Sequence, residues 1–436
     1  MYIFSWKYIK EKWAHIGFQK YFQNMSWMFT GRIFSLVIAF FLNTYVARYL
    51  GPENYGLLNY TFGFVGLFGF IASLGIDSVL SRELIKDPSK KDQIIGTSFY
   101  IKLTGSIVSI MAIIIVAILT TDDPLLLGLI SMYSLVYMFN AFGVVTTYFE
   151  SQALSKYPII TMMFVNIMST VLKIIVIITG AGVIWLTGVY VLEGLVSAMM
   201  MLYFFISKGH SFKKWVFNID IAKNILRDSW PLMLSSIAVT IYMDIDQVMI
   251  KNMMSNESLG IYSVAVKLSE AWYFIPGVIT GALFPAIVNA RKVSKELYEK
   301  RLTKLYSLMF WLSCGIATFT TIFATFIINI LFGIKYLDAV TSLHIYVWAG
   351  IAVSLGFVLS QYLLTENFTK ISAITHVVGA VINVFLNIIL IPKYGINGAA
   401  IATVISYAFA TFSILIFKKT RPHIKVIVQS IIPIFN

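Results

Sequence analysis

Four basic residues, Arg32, Lys102, Lys173 and Lys267, stand inside stretches otherwise almost free of charge, and five acids, Asp77, Glu193, Asp244, Asp246 and Glu270, share that setting. If those stretches lie in hydrocarbon, each charge costs about 2.5–3.5 kcal/mol on insertion scales. It is then expected to face protein or a wet cavity and to have a role there. Ion pairing is one such role. Lys173 and Glu193 fall at comparable depths on neighbouring segments, and so do Asp246 and Lys267. Pairing lowers the cost of burying either member. Asp77, Arg82 and Glu83 form a further charged group, read either as a closure latch or as a structural cluster. Pro276 interrupts a long apolar segment, with Pro285 near its end. There it removes a backbone hydrogen bond and permits a kink, either a static bend or a hinge.

The elements that position these residues follow from composition. The 436-residue chain is 58% hydrophobic and only 12% charged, with a mean hydropathy of +0.82. A bilayer core of roughly 30 Å needs about 20 apolar residues per helix. Runs of that length recur, too long and too uniform for barrel strands. The expectation is an all-α integral membrane protein with about twelve transmembrane helices in two pseudo-symmetric six-helix lobes around a central cavity. The helices are expected near 24–47, 57–80, 94–119, 124–148, 157–180, 183–206, 229–251, 259–288, 304–332, 338–364, 370–391 and 396–417. The domain plan is an interfacial segment over 1–23, a lobe over 24–206, a linker over 207–228, a second lobe over 229–417 and a tail over 418–436. The first segment mixes Lys7, Lys10, Lys12 and Lys20 with Phe4, Trp6, Tyr8 and Trp13 and has no small-residue cleavage site. It therefore reads as a helix lying on the membrane and not as a signal peptide. The tail is expected to rest on the membrane surface.

The net charge of +13 is a topology signal, because Lys and Arg fall in connectors. Assigning alternate connectors to opposite sides puts 25 of them on one side and 4 on the other. The positive-inside rule then places both termini in the cytoplasm, and nucleic acid is not an expected partner. Cys314 alone excludes intrachain disulfides. The five histidines are scattered, and neither a phosphate-cradling Gly-Lys-Ser/Thr loop nor a nucleophile elbow is present. Neither catalysis nor a bound metal or organic cofactor is expected. Energy would come from an ion gradient, from substrate asymmetry or from a separate subunit.

The two halves echo each other. Glu53-x-x-Gly56 after the first helix matches Glu257-x-x-Gly260 after the seventh, and Ser155-Lys156 matches Thr369-Lys370. Such repeats suit a transporter whose substrate binds between the lobes. The segment Ala47-Arg48-Tyr49-Leu50-Gly51-Pro52-Glu53-Asn54-Tyr55-Gly56 resembles a hallmark of Wzx-type polysaccharide flippases. Leu74-Gly75-Ile76-Asp77 with Ser81-Arg82-Glu83-Leu84, Asp246–Ile250, Gly260–Leu268 and Ile391–Thr403 are similar to further segments of that family, in its order. The resemblance implies a member of the multidrug/oligosaccharidyl-lipid/polysaccharide exporter superfamily. It implies translocation of an undecaprenyl-diphosphate-linked oligosaccharide, of O-antigen or capsule type, across the inner membrane by alternating access. It also brings the bilayer, a polysaccharide polymerase and chain-length proteins as partners.

For such a substrate, Arg32, Lys102, Lys173 and Lys267 would form a ladder of positive sites for the diphosphate. The alternative for each is snorkelling or a structural pair. Uptake of H+ or Na+ by Asp244, Asp246 or Glu270 would free Lys267 to hold phosphate. Two rival activities share the architecture: a cation-coupled multidrug exporter, which should be lined by acids and aromatics, and a lipid II-type flippase. A membrane polymerase should carry a large outer loop, and every outer connector here is short.

Overall fold

The computed structural model describes residues 16–366 and 368–431, and all regular structure among them is helical. Residues 1–15 of the interfacial segment and the side chain of Arg32 lie outside the described residues. Helices α1 (residues 16–50) and α2 (residues 52–86) are followed by α3 (Lys91–Thr120), α4 (Pro124–Ser151), α5 (Lys156–Ile178) and α6 (Val183–Ser207). Then come α7 (Ile219–Met253), α8 (Asn256–Arg291), α9 (Lys295–Leu331), α10 (Ala339–Thr365), α11 (Thr369–Tyr394), α12 (Ile396–Phe412) and the short α13 (Ile424–Ile431).

Among the described residues, ten helices are long and apolar enough to cross a membrane, and an eleventh, α7, qualifies as a pair of segments bent by 43°. The first of the ten, Ser26–Gly66, has 41 residues and would run about 62 Å if straight, twice the hydrocarbon thickness. It is broken at Gly51, which takes φ 69° and ψ 173° ahead of Pro52. Proline drives the residue before it out of helical space, and only glycine enters this region without strain. The described residues thus hold up to eleven candidate crossings, the first of them broken in two at Gly51. The chain is a multi-pass membrane protein.

Sides of the helices are sorted as lipid demands. On α9, Ser313, Ala317, Thr320 and Ala324 are buried, whereas Phe319, Ile322, Phe326 and Ile330 are exposed. Small and hydroxyl residues let neighbouring backbones approach, and large apolar ones meet hydrocarbon, which gains nothing from expelling them.

Packing divides the chain into two compact units. One comprises the residues through Asn43 with Phe68–Met233, the other Thr44–Leu67 with the residues from Leu234 onward. The first is held by Leu80, Leu84, Ile95, Val145, Phe149 and Phe205. The connector after α6 is part of this core, because Trp215 is buried against Phe99 and Phe205. Gly96 makes that fit possible, since a Cβ there would meet the Val216 nitrogen at 2.7 Å. The connector is also shorter than expected, with α7 starting at Ile219.

In the second unit, the Glu-x-x-Gly echo acquires a physical cause. The starts of α2 and α8 cross backbone on backbone: a Cβ on Gly56 would lie 1.7 Å from the Asn256 carbonyl oxygen, and one on Gly260 1.8 Å from that of Pro52. Beside the crossing, Arg48 donates to the carbonyls of Asn329 and Ile330 at the end of α9, at 3.3 and 2.5 Å. A cation there adds a donor to carbonyls of the last turn of α9 and suits the negative end of the dipole. Tyr336 donates to the Ala47 carbonyl at 2.7 Å and packs edge-on against Tyr55. The hallmark segment thus works as a structural knot.

The described part of the tail packs on the second unit. His423 is buried, stacked on Tyr362 with centroids 3.6 Å apart, and its Nε2 lies 3.0 Å from the Tyr306 hydroxyl. Val426 and Ile427 of α13 join the core of α8, α9 and α10. An equivalent arrangement closes the first unit, where His210 lies 3.0 Å from the Tyr148 hydroxyl and 3.1 Å from the Lys91 ammonium. Burial and the Lys91 charge both hold the His210 pKa below its ordinary value.

Candidate functional site

In the first unit the site is built by a broken helix. α2 stops at Leu74 and Gly75, both left-handed with φ 50° and 62°, and restarts at Asp77. The carboxylate therefore stands in a helix's first turn, where the dipole favours negative charge. α3 passes alongside, presenting Ser98, Lys102, Ser106 and Ser109 on a buried face. Gly105 lets it approach α2, because a Cβ there would meet the Ile71 carbonyl oxygen at 2.5 Å. Ser106 donates to Tyr137 O at 2.8 Å and Ser109 to Phe68 O at 3.0 Å, tying α3 to α4 and to the part of α2 before its break.

Lys102, 6% exposed, donates to Asp77 at 2.5 Å, and Thr147 reaches the same oxygen at 3.4 Å. The pair borders a cavity of about 320 Å³ whose polar lining includes Tyr137, Asn140, Thr146 and Ser197. That volume is at the small end of ligand pockets. It can take an anionic group with a neighbouring ring, and not a whole oligosaccharide. Hydroxyls, an amide and an ammonium are the donors that phosphate and sugar oxygens require.

Asp77 pairs with Lys102 and not with Arg82, whose partners are elsewhere. Arg82 pairs with Glu83 at 2.9 Å and with Asp228 of α7. Lys173, buried, donates to Glu193 at 2.8 Å and stands 3.5 Å from the centre of the Tyr190 ring, and Ser169 donates to the same carboxylate. Lys173 does not line the Lys102 cavity.

The second unit holds the other acids. Asp246 of α7 is 1% exposed and accepts from Tyr262 at 2.5 Å, from the Gln247 amide at 2.8 Å and from Thr403 at 3.4 Å. Its expected pairing with Lys267 is absent among the described residues: Lys267 is exposed, and its opposite charges are Glu270 and Asp244. Tyr346 donates to Glu270 at 3.1 Å. On α11, Asn387 donates to Asn383 at 3.0 Å, leaving Asn387 Oδ1 and Asn383 Nδ2 buried with no hydrogen-bond partner among the described residues. Pro276 sits in the first turn of the second half of α8, directly after the break at residues 271–273. Its ring excludes a helical carbonyl at Trp272, which accounts for a break there.

The model of the family described as polysaccharide biosynthesis protein matches residues 21–291, more than half of the chain. The chain belongs to that family. Over 404 residues it is 23% identical to a capsular polysaccharide biosynthesis protein, CapF, of Staphylococcus aureus, covering 91% of this chain and 99% of that one. Over 195 residues it is 25% identical to a probable low-salt glycan biosynthesis flippase, Agl15, of Haloferax volcanii, covering 44% of this chain and 40% of that one. The chain spans less than half the length of the archaeal relatives it matches. Among solved structures, the lipid II flippase MurJ superposes with a TM-score of 0.70 at 17% identity, covering 94% of this chain and 91% of that one. An inward-facing multidrug transporter of the MATE family and MOP superfamily superposes with a TM-score of 0.69 at 18% identity, covering 92% of this chain and 96% of that one. The fold is that of the multidrug/oligosaccharidyl-lipid/polysaccharide exporter superfamily.

For this polysaccharide biosynthesis family member, spacing located the charges and missed several partners. Asp228 lies 146 residues from Arg82. Tyr262 and Thr403 hold Asp246, and both fall in segments read for their resemblance alone. Hydroxyls at i and i+4 from a buried acid or base, as in Lys173 with Ser169 and Lys102 with Ser106, are the signal that would have found the polar faces.

Proposed function

We propose that this chain is a flippase that moves an oligosaccharide, joined through diphosphate to an undecaprenyl-type polyprenyl carrier, from the cytoplasmic to the outer leaflet by alternating access. The observation that carries this reading is Lys102: a buried ammonium at the edge of a cavity whose other polar walls, besides its partner Asp77, are hydroxyls and an amide. A phosphate oxygen entering the cavity can replace Asp77 as its acceptor. That exchange keeps the ammonium paired at every stage, so no buried charge is left alone. Lys267, exposed within α8, is a second station for the anionic head, and Arg32 a third at the level of its backbone position in α1. Lys173 serves Glu193 and Tyr190 instead, as a positioning pair for α5 and α6. The glycan names of the Haloferax and Staphylococcus relatives support a saccharide cargo.

Coupling is proposed at Asp246, the most buried of the acids among the described residues, with Tyr262 and Thr403 as further oxygens for H+ or Na+. Asp244 and Glu270 then set the charge facing Lys267. Asp77 with Lys102, and Arg82 with Asp228, are proposed as latches at the basic end, and the break before Pro276 as the hinge of α8. The 25-to-4 division of cations supports a cytoplasmic location for that end and for both termini.

The test is reconstitution of the full chain in vesicles with a polyprenyl-diphosphate oligosaccharide labelled on its sugars, reading label exposed on the far leaflet with and without imposed H+ and Na+ gradients. Exposure above that of protein-free vesicles, accelerated by one gradient and no longer accelerated in Asp246→Asn, is expected. Label that never crosses overturns the flippase reading, and a rate indifferent to both gradients overturns the coupling.

A further inference from the structure

The joint between α8 and α9 carries six cations from Arg291 to Lys304. Arg291 is matched by Glu366 at 2.9 Å and Lys295 by Glu299 at 3.8 Å. Arg301 and Lys304 have no carboxylate within 4.0 Å among the described residues, and both are exposed. They border an open groove of about 320 Å³ whose remaining walls are apolar, Leu283 and Ile287 from α8 and Leu305 and Leu308 from α9.

Three features define what the groove fits. Arg301, Lys304 and Leu308 recur at three and four residues, so cations and hydrocarbon contact occupy one face of α9 in series. Two like charges three residues apart on a helix repel, and an anion held between them removes that penalty. The level is also set by the chain: α9 is rich in charge from Lys295 to Lys304 and uncharged from Leu305 to Leu331, while the second half of α8 is uncharged from Ala271 through Ala290 before Arg291 and Lys292. The groove straddles the height at which both helices pass from headgroups into hydrocarbon. Arg301 donates to the Ala286 carbonyl at 2.9 Å, which fixes its guanidinium against α8 with further donors left for a ligand.

The geometry points to a binding site for an anionic phospholipid of the surrounding bilayer, its phosphodiester between Arg301 and Lys304 and an acyl chain along Leu283, Ile287 and Leu308. Basic pockets between membrane helices recognise anionic headgroups through the same combination of charge and depth. A neutral or zwitterionic lipid offers the hydrocarbon without the net charge, and a soluble anion the charge without the hydrocarbon. The site is separate from the Lys102 cavity and does not depend on the transport reading.

The test is native mass spectrometry of the full chain titrated with phosphatidylglycerol and, separately, with phosphatidylcholine of the same acyl chains. Phosphatidylglycerol is expected to bind about twenty-five-fold more weakly to the R301Q/K304Q variant than to the wild type, about five-fold per cation. K292Q/K300Q, which removes two cations of the same joint that do not line the groove, is expected to stay within about two-fold of the wild type. Leu283→Trp keeps the charges and fills the groove, so it must also weaken binding, which keeps the test decisive if R301Q/K304Q fails to fold. Equal binding of both lipids overturns the proposal, as does an equal loss in the two charge variants, which would mean a diffuse field. Displacement of phosphatidylglycerol by a lower concentration of polyprenyl diphosphate would mark the groove as a substrate site and equally overturns it.

Discussion

Replacing Gly56 by alanine puts a methyl carbon 1.7 Å from a backbone oxygen of Asn256, and the oxygen cannot rotate away as a side chain would. To restore an ordinary 3.4 Å contact the crossing of α2 and α8 must open by about 1.7 Å. That shift would separate the fully buried Tyr262 and Leu259 from their neighbours and strain the Arg48 and Tyr336 bonds to the same region. Overpacking usually costs about 1–3 kcal/mol, and a backbone clash at a crossing lies at or above the upper end, so a loss of at least about 3 kcal/mol is expected. Gly281→Ala is the control, since its Cβ meets nothing within 4 Å and removes a helical glycine, a change worth up to about 1 kcal/mol in favour of the fold. Thermal unfolding followed by size-exclusion chromatography in detergent should give a markedly lower midpoint for Gly56→Ala and Gly260→Ala and an unchanged or higher one for Gly281→Ala. Equal midpoints for Gly56→Ala and Gly281→Ala would refute the assigned backbone contact.

Glu193→Gln should destabilise the first unit by about 3–5 kcal/mol, because it leaves the Lys173 ammonium buried without its counter-charge. The double variant Lys173→Met with Glu193→Leu should recover most of the loss, and a double variant no better than the single one would contradict the pairing. Burial pushes the His423 pKa from 6.5 down to about 4, so the folded chain binds fewer protons there than the unfolded chain between those values. Its contribution is therefore present in full above pH 6.5 and is lost as pH falls towards 4. That loss amounts to about 3 kcal/mol, and His423→Phe should flatten this part of the stability profile measured by denaturation in detergent. Arg48→Ala should cost about 1 kcal/mol by uncapping α9 and should increase hydrogen exchange at its last turn, with unchanged exchange counting against the cap.

What could be read from the amino acids alone was set by how local the cause was. Hydropathy runs located the crossings because each depends on about 20 consecutive residues, yet the division of Ser26–Gly66 rested on one glycine and one proline. The segment from Ala47 to Gly56 was recognisable by resemblance, and the structure supplies the reason for its residues: a cap, a carbonyl acceptor and a close crossing. Pairings were legible only where depth sufficed. Lys173 and Glu193 meet, whereas Asp246 turns to Tyr262 and Thr403, because depth along a helix says nothing about which way around its axis a side chain points. Asp77 and Arg82 illustrate the same point: five residues apart on a helix of 3.6 per turn, they diverge by about 140°. The tail from His423 read as a surface segment since its burial depends on Tyr306 and Tyr362, more than sixty residues upstream.

The central claim is that the Lys102 ammonium receives the diphosphate of the cargo, and the most direct measurement is the rate at which a polyprenyl-diphosphate oligosaccharide reaches the far leaflet of vesicles containing Lys102→Gln. A fall of at least about tenfold is predicted, with Lys102→Arg retaining most of the wild-type rate and Lys102→Gln eluting as an intact monodisperse protein. Wild-type translocation by Lys102→Gln would contradict the account.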